Sequence, residues 1–292
     1  MFWVINLQCN LCPRNCNIDR NENTGFRKSH TKAKIARIAP HHWEEPCISG
    51  TKGSGTVFFS GCTLKCVFCQ NYEISALNQG REITPYELSE EYKKLEQLGV
   101  HNINLVSACH FIPSILESFE IYKPNIPIVY NSGGYEKVET LKLLDGVVDI
   151  YLPDFKYSDN TLAKEYSFAP DYVNTASLAI DEMVRQAGSP VFDDNGIMQK
   201  GVIVRHLILP NHTKNSIGVL EILKERYDDK ILVSLMGQYI PHGKAMDFEK
   251  LSRKITKREY KKVSDKLIEL ELDGFMQELT SADEKYIPDW NF

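Results

Sequence analysis

From residue 56 onward the chain alternates short apolar runs with longer amphipathic ones, and no other feature limits its fold so strongly. Strands are expected at 56–60 (TVFFS), 101–107, 126–130, 147–152, 202–209 and 231–236. Helices are expected between and after them. The first opens on Thr84-Pro85-Tyr86-Glu87, where threonine can cap, proline suits the first turn and Glu87 closes a capping box. It ends at Gly99. Further helices are expected at 112–122, 136–144, 159–187 in two pieces broken near Ala169-Pro170, 216–226, and from Thr256, with a box to Glu259, to Gly274. Six strands, each followed by a helix, imply parallel β/α units. A doubly wound sheet and a partial barrel both satisfy this alternation. In either, ligands gather at the carboxyl ends of the strands.

The 292 residues suit one large domain, or one domain with extensions. With 34 Lys+Arg against 39 Asp+Glu the net charge is −5, which argues against a nucleic-acid partner. No apolar run is long enough to span a bilayer, so no membrane partner is expected. Met1 to Asn10 lacks the basic start and small-residue cleavage site of an export signal. A cytoplasmic location is therefore expected.

Eight cysteines in such a chain point to metal before disulfides. Three of them, Cys62, Cys66 and Cys69, form Cys-x3-Cys-x2-Cys in a loop just after the first strand, within F-S-G-C-T-L-K-C-V-F-C-Q-N-Y. Three thiolates can hold three corners of a cubane cluster and leave one iron open. The rival reading, a zinc knuckle, usually supplies four ligands.

This loop, with Phe68 before its last cysteine, resembles the signature of the radical S-adenosylmethionine (SAM) superfamily. The resemblance implies an α/β partial (β/α)6 barrel. It also implies a [4Fe–4S] cluster on Cys62, Cys66 and Cys69, and SAM as cofactor. SAM is then cleaved reductively to methionine and a 5′-deoxyadenosyl radical, with a ferredoxin or flavodoxin as electron donor. The stretches EEPCISG (44–50), GTVFFSGC (55–62), NINLV (102–106), VYNSGGYE (129–136), DIYLPDFKY (149–157) and RHLILPN (205–211) are similar to one subgroup, relatives of the pyruvate formate-lyase activating enzyme. That likeness implies an oxygen-sensitive enzyme that abstracts hydrogen, from a protein or from a small molecule or peptide. A zinc-dependent module without catalysis is the reading from another class.

By position, the resemblance makes Phe68, Ser107, His110, Asn131, Asp154, Lys156, Arg205 and His242 candidate SAM contacts. Ser107-Ala108-Cys109-His110 stands where many superfamily members carry Gly-Gly-Glu, so Ser107 or His110 is the candidate for the SAM amino group. Asn131 has a rival role as a turn residue. Asp154-Phe155-Lys156 looks like the Asp-x-Lys of the activating enzymes. Arg205 lies inside an apolar strand and needs an anionic partner, a role the SAM carboxylate would fill. His242 resembles a histidine near the adenine.

Cys9-x2-Cys12-x3-Cys16 is a second metal-like spacing, which Cys47 would have to complete. Zinc, a second cluster and a remnant without metal are all compatible with it. The expected organisation is a Cys-rich segment at 1–54 packed on the barrel, the partial barrel at 55–243, and a C-terminal helical extension at 244–292.

Overall fold

The structure is a computed structural model that describes residues 8–277 and Trp290. Its strands are β1 (Ala33–His41), β2 (Ser54–Phe59), β3 (Arg81–Ile83), β4 (Ile103–Val106), β5 (Ile128–Ser132), β6 (Ile150–Pro153), β7 (Val191–Phe192), β8 (Met198–Leu207), β9 (Leu232–Met236) and β10 (Gly274–Met276). They form one sheet in the order β10-β9-β8-β6-β5-β4-β2-β1-β3, with β7 paired to β8. From β2 to β10 neighbouring strands on this path are parallel, while β1 and β3 are antiparallel additions at the other end. β10 and β3 end the order without pairing, so the sheet is an open, partial barrel.

Every residue of β2, β4, β5 and β6 is buried, as expected where helices cover one face and the other lines a barrel. The helices Pro85–Gln97, Ile112–Ile121, Tyr172–Ala187, Thr213–Tyr227 and Lys257–Glu269 lie between successive parallel strands. Both threonine boxes form: Thr84 accepts from the Glu87 amide and Thr256 from the Glu259 amide, each glutamate reaching back to the cap. The break at Ala169-Pro170 is also present, with Phe168 closing the first piece at φ +56°.

Four strands, β1, β3, β7 and β10, and the start of one helix differ from the sequence reading. β1 was not expected, although Ala33 and Ile35 point inward with Lys34 between them, a strand-like alternation. The helix expected from 136 begins at Val138, because Glu136 turns its carboxyl into the interior, 3% exposed. The last helix stops at Glu269 and Gly274 starts β10, which pairs in parallel with β9 through Gly274–Val233. Residues 244–276 therefore add a strand to the barrel sheet besides their helix; the remainder of the expected extension, apart from Gln277 and Trp290, lies outside the described residues.

The turn after β5 places Asp154 through glycine. Gly134 has φ +77°, and a Cβ there would lie 2.2 Å from the carbonyl oxygen of Asp154. Gly99 has the same φ with nothing within 4 Å. Gly99→Ala is expected to cost about 1–2 kcal/mol of left-handed strain. Gly134→Ala is expected to cost clearly more, because its Cβ meets backbone that also anchors β6. Urea unfolding of the two variants checks this; equal midpoints would remove the argument.

Candidate active site

β2 leads directly into the cysteine loop. The loop is pinned from outside by the Val67 amide, which donates to the Tyr166 carbonyl at 2.9 Å, and closed within by the Cys69 amide, which donates to that of Cys66 at 3.2 Å. Hydroxyls and an amide address the sulfurs. Ser167 Oγ donates to Cys66 Sγ at 2.9 Å, Ser75 Oγ to Cys69 Sγ at 3.2 Å, and the Leu64 amide to Cys62 Sγ at 3.4 Å. Burial pushes the Cys66 thiol up to about 12 and the Cys69 thiol to about 11, while the nearby Lys156 cation pulls both down. All three cysteines line a cavity of about 490 Å³.

Across that cavity stands a network of buried charges from the strand ends. Lys156 Nζ lies 2.6 Å from Asp154 Oδ2. Arg205 Nε faces Asp154 Oδ1 at 3.3 Å, and its Nη1 meets Glu44 Oε2 at 3.1 Å. Arg205 Nη2 donates to Asn131 Oδ1. Burial alone would raise the Asp154 carboxyl, but Lys156 and Arg205 together hold it below its ordinary value. Burial likewise opposes the charge on Lys156, yet Asp154 keeps its pKa raised. Asp154, Lys156 and Arg205 thus favour one another's charged forms.

Of the expected cofactor contacts, Phe68, Ser107, Asn131, Asp154, Lys156 and Arg205 line the cavity with the cysteines. Ser107 does so in a left-handed conformation, φ +60°, its amide donating to the Asn131 carbonyl at 2.9 Å. Strain of this kind in a non-glycine residue persists where surroundings enforce it.

Two expected contacts stand elsewhere. The short turn Cys109–Phe111 swings His110 into the interior, 2% exposed, with Nε2 2.9 Å from the Ser60 carbonyl oxygen. Burial, with Arg27 and Arg20 nearby, keeps its ring well below the usual histidine pKa. His242 stands 3.7 Å from Glu73 and does not line the cavity. Arg205 lines the cavity and is itself flanked by two protein carboxylates, Glu44 and Asp154.

Glu44 is the residue that sequence reasoning missed. It comes from the N-terminal segment, and its Oε1 accepts from Asn104 Nδ2 at 2.9 Å and Asn131 Nδ2 at 3.4 Å. The signal was present: a buried strand arginine demands an anion, and Glu44-Glu45 is an acidic pair inside an otherwise family-like stretch.

Among the described residues no three His, Cys, Asp or Glu side chains are close enough to hold a single metal ion. A cubane places its corners further apart than one ion's ligands. Three thiols on one wall, each with a hydrogen-bond donor and with a lysine cation nearby, fit such a group. The N-terminal cysteines do not assemble with Cys47. Cys12 is buried near Arg27, whereas Cys47 packs with Val129, Ile150 and Ile203 in the interior. Cys9 and Cys16 are half-buried.

A family model described as the radical SAM superfamily matches residues 56–217, which spans the cysteine loop and the strands through β8. The chain belongs to the radical SAM superfamily. Members use a [4Fe–4S] cluster and SAM, which makes this chain a SAM-cleaving enzyme by family. An uncharacterized protein of Methanocaldococcus jannaschii is 28% identical over 276 residues, covering 91% of this chain and 75% of that protein. Among solved structures, methylornithine synthase shares the fold with TM-score 0.51 at 17% identity, covering 76% of this chain and 66% of its own. The hydrogenase maturase HydG does so with TM-score 0.53 at 15% identity, covering 82% and 56%. Streptococcus suis SuiB, bound to its precursor peptide SuiA, gives 0.50 at 15% identity, covering 76% and 48%. This radical SAM chain therefore spans between about half and two thirds of those structures. No helix among its described residues is long and apolar enough to cross a membrane.

Proposed function

We propose that Cys62, Cys66 and Cys69 hold the [4Fe–4S] cluster, that Asp154, Lys156, Asn131 and Ser107 receive SAM beside it, and that the enzyme abstracts hydrogen from a protein, as a glycyl-radical activase does. The observation that carries this reading is that the three cysteines and the Asp154–Lys156–Arg205 network line one cavity. When bound and reduced, the cluster supplies the electron that cleaves SAM. The chain's own residues do the rest. Lys156 and Asp154 present one cation and one anion to a zwitterionic ligand, and Arg205, fixed by Glu44, keeps Asp154 ionised and oriented. Phe68, 5% exposed, offers an apolar surface for the adenine.

The protein substrate is supported by space. A cavity of about 490 Å³ that takes both a cluster and SAM leaves the substrate to be engaged at its mouth. Trp43 lines the same cavity and is 60% exposed, which suits an inserted loop.

Anaerobically purified protein is expected to be brown and iron-loaded, and with reductant to form 5′-deoxyadenosine from SAM. Incubation with a cytoplasmic protein fraction should raise that rate and leave a carbon-centred radical on one polypeptide, read by electron paramagnetic resonance. Colourless protein with zinc alone would leave the non-catalytic module as the reading. Acceleration by low-mass metabolites only would make the substrate a small molecule.

A further inference from the structure

A protein substrate has to be held beside the mouth of the cavity, and one stretch of surface there is charged against the rest of the chain. Residues 244–262 hold eight Lys and Arg against Asp247, Glu249 and Glu259, in a chain whose net charge is −5. They follow β9 and run into the helix Lys257–Glu269. A helix that follows a parallel strand starts at the carboxyl ends of the strands, which is the end where the cavity opens. Hydrogen bonds fix the stretch there. The Lys244 amide donates to the carbonyl of Val67, in the cysteine loop, at 2.7 Å. Tyr260 Oη donates to the carbonyl of Gln277 at 2.6 Å, and Gln277 lines the cavity. Asn211 ties the two halves together: its amide donates to Glu259 Oε1 at 2.7 Å and its Nδ2 to the Lys250 carbonyl at 2.8 Å.

On the helix, Lys257, Arg258, Lys261, Lys262 and Asp265 fall on one exposed stripe, with Val263 and Leu267 buried on the other side. Lys261 pairs with Asp265 at 2.7 Å, and Arg253 with Glu259 at 2.8 Å. Among the described residues Lys244, Lys250, Lys257, Arg258 and Lys262, all exposed, pair with no carboxylate. Lys257 and Arg258 stand in the first turn of the helix, where the dipole favours acids and opposes cations. Thr256 and Glu259 already form the capping box of that turn, so neither cation serves the helix. Their charge is directed outward, where it steers an anionic partner. The surroundings give the partner's class. The apolar side of the helix is buried, so it is not available to a lipid surface. Phe248 and Tyr260, the aromatics of the stretch, are half-buried, so neither offers an open platform for a base. Met246, 66% exposed among the cations, supplies the apolar contact typical of a protein interface.

We propose that Lys244, Lys250, Lys257, Arg258 and Lys262 dock an acidic segment of the substrate protein beside the cavity mouth; the proposal rests on the protein-substrate reading made above. The face selects the partner by charge and holds it, while the residue that reacts enters the cavity separately.

The test titrates the whole chain with a fluorescent deca-glutamate peptide at low ionic strength and reads the Kd by anisotropy. Lys257→Glu/Arg258→Glu/Lys262→Glu is expected to weaken binding about tenfold or more. The gap should narrow as salt is raised to about 0.15 M, where screening shortens to about 8 Å. Lys52→Glu/Lys142→Glu/Lys200→Glu makes an equal reversal on exposed lysines near the amino ends of β2, β6 and β8, and should bind as the wild type does. The first triple variant should melt close to the wild type, since acids suit the start of a helix. Lys257→Gln/Arg258→Gln, which adds no negative charge, should give an intermediate Kd. The protein fraction that accelerates 5′-deoxyadenosine formation should be needed at about tenfold higher concentration by the first triple variant for half its maximal effect. The proposal is overturned if that variant keeps wild-type affinity for the peptide or for the fraction, if the second triple variant weakens binding equally, or if the peptide does not bind the wild type. Tighter binding of a single-stranded RNA of similar length, lost in the same variant, would overturn it in favour of a nucleic acid. Acceleration by low-mass metabolites alone would instead defeat the protein-substrate reading, while the Kd series still decides the docking face.

Discussion

Cys62→Ala, Cys66→Ala and Cys69→Ala are each expected to reduce 5′-deoxyadenosine formation to background. The structure says why no single loss is rescued. A thiolate ligand can be replaced only by another thiol within reach, and among the described residues none of the other five cysteines lines the cavity. Cys109 is buried, its Sγ donating to the Leu11 carbonyl at 3.3 Å. Cys47 packs in the interior with Val129 and Ile150. The three positions should also differ in how they fail. Loss of Cys69 strands the Ser75 hydroxyl, whereas the Ser167 hydroxyl at Cys66 can turn to Tyr157 and Cys62 is met by one amide. Iron content after anaerobic reconstitution, with the 420-nm region of the absorption spectrum, measures the cluster; liquid chromatography measures the nucleoside. Wild-type 5′-deoxyadenosine formation by any one variant would remove that cysteine from the site. Melting temperatures near the wild-type apoprotein would show that the loss is not one of folding.

Features whose cause is local were legible in the sequence. The capping boxes at Thr84 and Thr256 close within four residues, and both form as read. The parallel strands announced themselves as short apolar runs because both of their faces are covered. The cysteine loop was legible for the same reason, its spacing and its strand lying within one short stretch. What was not legible depended on distant partners. β10 is three residues long and exists because β9 offers it an edge. Its own segment shows no strand period. His110 occupies a plausible place after β4, but a single 3-10 turn points it at Ser60 instead of the cavity, and no residue pattern encodes that rotation. Glu44 meets Arg205 across 161 positions of sequence, so the strand arginine and the acidic pair are each visible in the sequence while their pairing is not.

Arg205→Met is expected to be the most destabilising single change in the site. The arginine side chain is 14% exposed, Glu44 9% and Asp154 15%, so solvent cannot rehydrate the carboxylates when their cation is removed. Truncating one member of a buried ionic network costs about 3–5 kcal/mol, most of it the penalty for the charges left behind. Met keeps the aliphatic volume, so the loss reports charge and hydrogen bonding more than a cavity. Lys156 still pairs with Asp154, and Glu44 still accepts from Asn104, which sets the lower end of that range. Adding Glu44→Gln to Arg205→Met should then recover about 1 kcal/mol or more, as expected of coupled neighbours. The amide carries no charge to strand. The sign of the pH dependence follows from Asp154. Its folded pKa is depressed, so its contribution is present above the ordinary unfolded value of about 3.9 and is lost as pH falls through the folded pKa. In Arg205→Met that contribution is smaller, so the gap to wild type should narrow on acidification toward and below about pH 4. Urea unfolding at neutral and acidic pH measures both effects on the apoprotein, independent of any cluster. A single variant within about 1 kcal/mol of wild type at pH 7, or a double variant less stable than the single, would show that Glu44 and Asp154 do not depend on Arg205.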